Sequence, residues 1–337
     1  MKVVEISGHF GIDRLLVAER DVPSPGPGQV LLKMKAASLN YRDWLTVTGK
    51  YNPKQPLPLI PCSDGVGVVE AIGGGVERVA PGDRVMPIFA QRWIEGKPDR
   101  DKLRSTLGGP LDGVLAEAMV VDAEALVPAP VHLSDVEAAC LPCAGVTAWS
   151  ALVAHGGLSA GERVLVQGSG GVAVFALQLA CALGAEVFVV SSRDERLAAM
   201  REMGATGTVN YKDVPEWGRE IRELSGGGVD VVVDVGGGAT LPQSLVAVGM
   251  GGRICQVGNL GGGKVELNLI PLFMSQVRLQ GLLVGDRRSF EGLAATMKEH
   301  AIRPKVDRIF NWTEAGAALE YLASGAHFGK VCLEIAG

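Results

Sequence analysis

Gly168, Gly170 and Ala173 stand at the G-x-G-x-x-G/A spacing within VLVQGSGGVAVFALQLACALGA, directly after a β-branched stretch and directly before a helical one. In that setting Gly168 permits a tight turn, Gly170 lets the backbone approach a pyrophosphate, and the small Ala173 lets helix and strand pack closely. The turn residues Gly168, Ser169, Gly170, Gly171 and Val172 would then offer a dinucleotide their backbone N–H groups and the positive end of a helix. The next β-branched stretch ends in Ser191, Ser192 and Arg193, where an NAD site carries an acidic side chain for the ribose 2′-hydroxyl. Two hydroxyls and a guanidinium suit a 2′-phosphate, and Arg196 adds charge, so the expected cofactor is NADPH. The competing reading has Ser192 or Asp194 capping the following helix and Arg193 solvated.

Such a turn needs a parallel sheet behind it. From about Glu162 the runs ERVLVQ, EVFVVSS, TGTVN, VDVVVDV, GRICQVG and VRLQGLLVG alternate with helical segments at 171–183 (amphipathic), 194–203, 216–224 and 239–248. Six strands with helical crossovers predict an α/β, doubly wound parallel sheet. In the first 120 residues, Pro and Gly punctuate short strands (DRLLVAERDV, QVLLKMKAASLN, GVGVVEAIG, DRVMPIF), which predicts a mostly antiparallel, barrel-like domain. Helices at 289–300 and 313–324 and a strand at 330–335 do not extend the alternation and are expected to return to that first domain. A chain of 337 residues is long enough for two such cores. The net charge of -5 provides no excess for binding polyanions, and no run of 18 apolar residues occurs, so neither nucleic acid nor membrane is an expected partner. Cys62, Cys140, Cys143, Cys181, Cys255 and Cys332 lie mostly in apolar runs, as reduced thiols of a cytoplasmic protein would.

Several ordered strings, NYRDWLTVTGKY, PLIPCSDGVGVVEAIG, PGDRV, LPCAGVTAW and GSGGVAVFALQLACALGA, together resemble the medium-chain dehydrogenase/reductase superfamily over essentially the whole chain. Within it, the chain is most similar to zinc-independent quinone oxidoreductase-like and enoyl reductase-like members. The resemblance implies a GroES-like catalytic domain (1–123 and 285–337), a Rossmann domain (124–284) and a homodimer. By position it implies cofactor contacts from Gly145 and Thr147 near the nicotinamide and Tyr211 near the adenosine. Further implied contacts are Gly236 and Gly237, Gly258 and Asn259, Val284, and Lys330.

Where zinc-dependent members carry a ligand Cys, this chain has Asn40, at the head of a segment ending at Asp43. Their Gly-His-Glu-Gly motif corresponds to Cys62, Ser63, Asp64 and Gly65, and Cys143 matches the remaining ligand. One ligand of three does not hold a catalytic zinc, so no metal is expected; a rearranged site would have to recruit Cys62. Residues 88–118 contain no Cys for a structural zinc, and Cys140-Leu-Pro-Cys143 reads as packing thiols. Without a Lewis acid, hydrogen-bond donors must take up the charge that hydride addition creates, which favours enones, enoyl esters or quinones, whose anions are delocalised. The candidate donors are Asn40 and Tyr51, with Tyr41 a local competitor; Asp43 reads as a structural hydrogen-bonding residue. Two other readings stay open: a zinc-free or rearranged-zinc alcohol dehydrogenase acting on simple carbonyls, and a non-enzymatic NADPH-binding protein.

Overall fold

β-Branched runs closed by glycine become strands where both faces find cover, and the computed structural model, which describes residues 1–335, builds two sheet-centred units from them. One unit is Met1–Ala144 with the chain from Gly285 onward; the other is Gly145–Val284. The first division thus falls at 144/145 rather than at 123/124. Leu126–Pro128 pairs antiparallel with Arg84–Pro87, and the helix Asp135–Ala138 packs on the strands Gln29–Ser38 and Asp64–Ile72, which keeps this segment in the first unit.

In the second unit six parallel strands lie in the order Gly207–Asn210, Glu186–Ser191, Arg163–Gln167, Val229–Asp234, Val248–Gln256 and Arg278–Gly281. The central strands Arg163–Gln167 and Val229–Asp234 are covered on both faces, which is why they read as continuous apolar runs. The strand order reverses between these two, and a doubly wound sheet binds ligands at the carboxyl ends of the strands flanking such a reversal. The helix Gly171–Ala182, expected to be amphipathic, is buried on most of its surface because it lies between the sheet and the helix Val146–Trp149. The helical run Asp135–Ala154 is apolar and long enough to cross a membrane, and 72% of it is buried, as in the core helix of a globular protein.

Gln29–Ser38 is the hub of the first unit, pairing antiparallel with Asp64–Ile72, Ala118–Asp122 and Lys330–Glu334. The last strand therefore does return to the N-terminal sheet, where it also pairs in parallel with Val306–Asn311. Val30, Leu32 and Met34 alternate into the core against Val69, Val85 and Leu115. The expected strand DRLLVAERDV narrows to Leu15–Glu19, which pairs with Lys2–Ile6 in a separate two-stranded sheet.

Candidate active site

Asn40 follows the hub strand and is the N-cap residue of the helix Tyr41–Val47; its backbone N–H donates to Asp43 Oδ2 at 2.8 Å. At the end of that strand Ser38 pairs with Asp64 on one side and with Cys332 on the other, so sheet register brings Asp64 and Lys330 to Asn40. Lys330 Nζ donates to the Leu39 carbonyl at 2.7 Å and to Asn40 Oδ1 at 2.6 Å, and lies 3.8 Å from Asp64 Oδ2. Asp64 also accepts from Ser63 Oγ at 2.7 Å and from the Cys143 backbone N–H at 3.1 Å. Arg42 faces Asp43 Oδ1 at 3.5 Å and donates to the carbonyls of Leu107 and Gly109.

Two carboxylates and two cations are thus taken out of water together, and each is poised by its surroundings. Burial raises the Asp43 carboxyl to about 6, with Arg42 opposing and Asp64 adding to the rise. Asp43 makes the structural hydrogen bond expected of it, to the Asn40 N–H, while the cause of its raised value, complete burial, is invisible in its sequence neighbourhood. Burial raises Asp64 too, against the pull of Lys330. Burial alone would lower the Lys330 ammonium, but Asp64 and then the nearby thiols outweigh it and hold the group above its ordinary value. The Asn40 amide lies near enough to Asp64 to favour the ionised carboxylate, yet Nδ2 is buried without a hydrogen-bond partner.

The positions that would ligate zinc do not fit the ion. Asn40 Oδ1 is taken by an ammonium, Ser63 donates to Asp64, and burial, then Asp64, push the Cys143 thiol far above the usual thiol range. Cys62 is completely buried and its thiol is likewise held up, first by burial and then by Asp43. Among the described residues no three His, Cys, Asp or Glu side chains converge as a metal site. Cys140 Sγ lies 3.4 Å from Cys332 Sγ as a buried packing contact. Tyr51 is 46% exposed, and its ring lies against the Arg42 guanidinium at 5.0 Å. It takes no part in the hydrogen bonds that join Asn40, Asp64 and Lys330. Tyr41 stacks on Trp44.

In the second unit the glycine turn has the expected form. Gly168 ends its strand with φ +80 and open space where a Cβ would stand, and Gly170 is extended ahead of the helix Gly171–Ala182. These features fit a dinucleotide pyrophosphate. Ser169 Oγ accepts from Arg196 Nη1 at 3.2 Å, which joins the turn to the helix Asp194–Glu202. Ser191 closes its strand, with Ser192 half-buried and Arg193 exposed. Arg193 is the N-cap residue of that helix and makes no side-chain cap, while Asp194 Oδ1 accepts from Asn210 Nδ2. Tyr211, Gly236, Gly237, Gly258, Asn259 and Val284 all follow carboxyl ends of strands in this sheet, while Gly145 and Thr147 lie on its first helical turns. Lys330, implied as a cofactor contact, has its ammonium hydrogen-bonded to the Leu39 carbonyl and Asn40 Oδ1 in the first unit.

Asp234 is a residue that motif reading missed. Wholly buried at the end of Val229–Asp234, it accepts from the N–H groups of Gly236 and Gly237 and from Thr240 Oγ1 on Oδ1, and from Gln167 Nε2 and Ser244 Oγ on Oδ2. It thereby fixes the turn at the switch point. An acid closing the run VDVVVD ahead of three glycines was the available signal.

This pairing of a doubly wound dinucleotide unit with a sheet unit that buries a polar cluster defines a nicotinamide-dependent oxidoreductase. Residues 26–131 match the alcohol dehydrogenase GroES-like domain, and residues 171–299 match the zinc-binding dehydrogenase family. A zinc-type alcohol dehydrogenase-like protein of Schizosaccharomyces pombe is 40% identical over 96% of both chains. An acryloyl-coenzyme A reductase of Metallosphaera sedula is 32% identical over 99% of both. Among solved structures, a putative alcohol dehydrogenase from Sinorhizobium meliloti has a TM-score of 0.93 at 40% identity, covering 99% of this chain and 98% of its own. A crotonyl-CoA carboxylase/reductase in complex with NADP has a TM-score of 0.88 at 26% identity, covering 99% and 95%. The chain belongs to the medium-chain dehydrogenase/reductase superfamily and is an NAD(P)H-dependent oxidoreductase.

Proposed function

We propose that this protein uses NADPH to reduce a conjugated carbonyl or a quinone and that it does so without zinc. The observation that carries the reading is Asn40 Nδ2, a buried hydrogen-bond donor without a partner, beside a Lys330 ammonium and a Ser63 hydroxyl that already donate elsewhere. Such a donor suits an oxygen on which charge develops, and one donor of this kind is worth ~3 to 4 kcal/mol in the transition state. That help is small for an alkoxide but sufficient for an enolate or hydroquinone anion, which spreads its own charge. NADPH, when bound, supplies the hydride; Asn40 donates to the acceptor oxygen, and Tyr51, half-exposed against Arg42, is the second donor. Ser191, Ser192, Arg193 and Arg196 favour the 2′-phosphate, in keeping with the NADP bound by the crotonyl-CoA carboxylase/reductase. Reduction of an acryloyl thioester by another relative is chemistry of the same type. Six unbridged cysteines suit a reducing, cytoplasmic setting, and an exposed apolar face ending in an edge strand suits a homodimer.

The test is NADPH oxidation with an enoyl thioester, 1,4-naphthoquinone and a plain aldehyde, together with elemental analysis. Turnover of the conjugated acceptors is expected, with kcat/KM for the aldehyde lower by about tenfold or more and chelators without effect. Preference for the aldehyde, or one tightly held zinc lost together with activity, would sink the proposal.

A further inference from the structure

Lysine has three donor hydrogens and no acceptor, so the Asn40 atom 2.6 Å from Lys330 Nζ must be the carboxamide oxygen. Its partner atom Nδ2 is then turned away from the ammonium; it lies near the Asp64 carboxylate but makes no hydrogen bond. Lys330 is only 3% exposed, and its Nζ is fixed from a second direction by the Leu39 carbonyl, the residue before Asn40 in the chain. The Asp64 carboxylate, 3.8 Å away and wholly buried, balances the ammonium, and Asp64 is itself held by Ser63 and the Cys143 N–H. The ammonium thus faces the amide oxygen and leaves the amide nitrogen unengaged by it.

We infer that Lys330 is a positioning residue: it locks the Asn40 carboxamide so that Nδ2 is left to donate to the acceptor oxygen. This rests on the reading of Asn40 as the donor. The lock removes the amide's alternative orientation, in which the oxygen would repel developing negative charge. It also spares Asn40 the reorganisation that a free carboxamide would need as the reaction proceeds.

The experiment is a double-mutant cycle on the full chain with an enoyl thioester, measuring kcat, KM and the NADPH Kd by fluorescence titration. Asn40→Ala is expected to lower kcat about a hundredfold. Lys330→Met is expected to lower kcat by about tenfold or more with the NADPH Kd unchanged within about twofold, and Lys330→Arg, which keeps a donor there, to recover part of the loss. The double variant should fall no further than Asn40→Ala, because the two side chains act as one unit. If Lys330→Met does not fold, Lys330→Met with Asp64→Asn removes the charge pair together and leaves no buried carboxylate unpaired. The same loss of kcat in that variant supports the inference, and a retained kcat overturns it. Full additivity, or a weakened NADPH Kd with kcat at saturation intact, overturns it as well, the second making Lys330 a cofactor contact. If Asn40→Ala keeps its kcat, the donor reading itself has failed, which is a different result from a loss at Asn40 with none at Lys330.

Discussion

Asp43 illustrates how far a side chain can depart from what its neighbours in sequence suggest. Its carboxyl is raised from 3.8 to about 6 by burial, with Arg42 only partly compensating. Because the folded value lies above the unfolded one, the native state holds the extra proton between those two values, and stability falls as pH rises through that window. The contribution is on the order of 2 to 3 kcal/mol and is complete above about pH 6. Asp43→Asn keeps an oxygen for the Asn40 N–H and cannot ionise, so the variant should gain on the wild type between pH 4 and 7 in urea unfolding. A constant difference across that range would show that Asp43 does not titrate there. Tyr51 is a separate case, because Tyr51→Phe keeps the ring over Arg42 and removes only the hydroxyl. A fall in kcat of about tenfold or more is expected if that hydroxyl assists the reduction. An unchanged kcat with chemistry rate-limiting would leave Asn40 as the sole donor. At the other site, Arg193→Ala should weaken NADPH and leave NADH binding unchanged if the exposed guanidinium meets the 2′-phosphate, a group that NADH lacks. Equal effects on both dinucleotides would assign Arg193 to the solvated surface.

The strands and turns differ in how much of them could be read in advance. The strand–turn–helix around Gly168 was legible because φ > 0, β-branched runs and a small residue at Ala173 are all local requirements, and the structure meets each of them. The parallel character of the sheet was legible for the same reason, since four of its five crossovers left a helical pattern; the short helix Ile270–Met274 in the last one did not. The Asn40–Asp64–Lys330 cluster was only partly legible, because it depends on pairing between residues 290 positions apart in the chain. The end of the first domain was misplaced because Leu126–Pro128 is short, and only its pairing with Arg84–Pro87 shows where it belongs. Asp234 makes the same point within the second sheet. Six donors converge on its two oxygens, Gln256 Nε2 included, and the loop they hold is crowded: a Cβ on Gly237 would stand 2.8 Å from Asn259 Cα and from the Gly262 carbonyl. Asp234→Ala would strand buried donors at a cost of ~1 to 3 kcal/mol for each one left unsatisfied. It is expected to weaken NADPH binding about tenfold and to lower the melting temperature of the apoprotein. A variant with normal NADPH affinity would separate the turn from the cofactor site.

The homodimer proposed for this protein would form at the far edge of the parallel sheet. Arg278–Gly281 is its terminal strand, exposed at all four residues and paired on one side only with Val248–Gln256. Next to it in the chain the helix Ile270–Met274 leaves Ile270, Phe273 and Met274 exposed, Phe273 by 63%. A bare strand edge combined with contiguous apolar surface is a liability for a lone chain and a ready surface for a self-complementary contact with a second copy. The Asn40–Asp64–Lys330 cluster and the glycine turn each lie within one chain, so disrupting this surface should change the assembly state before it changes chemistry. Phe273→Glu combined with Leu279→Lys puts charge on both elements without touching Asn40, Lys330 or Gly168. The wild type is expected to sediment at twice the chain mass in analytical ultracentrifugation and the variant at the mass of one chain, with NADPH binding still measurable. A wild type that sediments as a single chain at micromolar concentration, or a variant that remains paired, would show that this edge is not the interface.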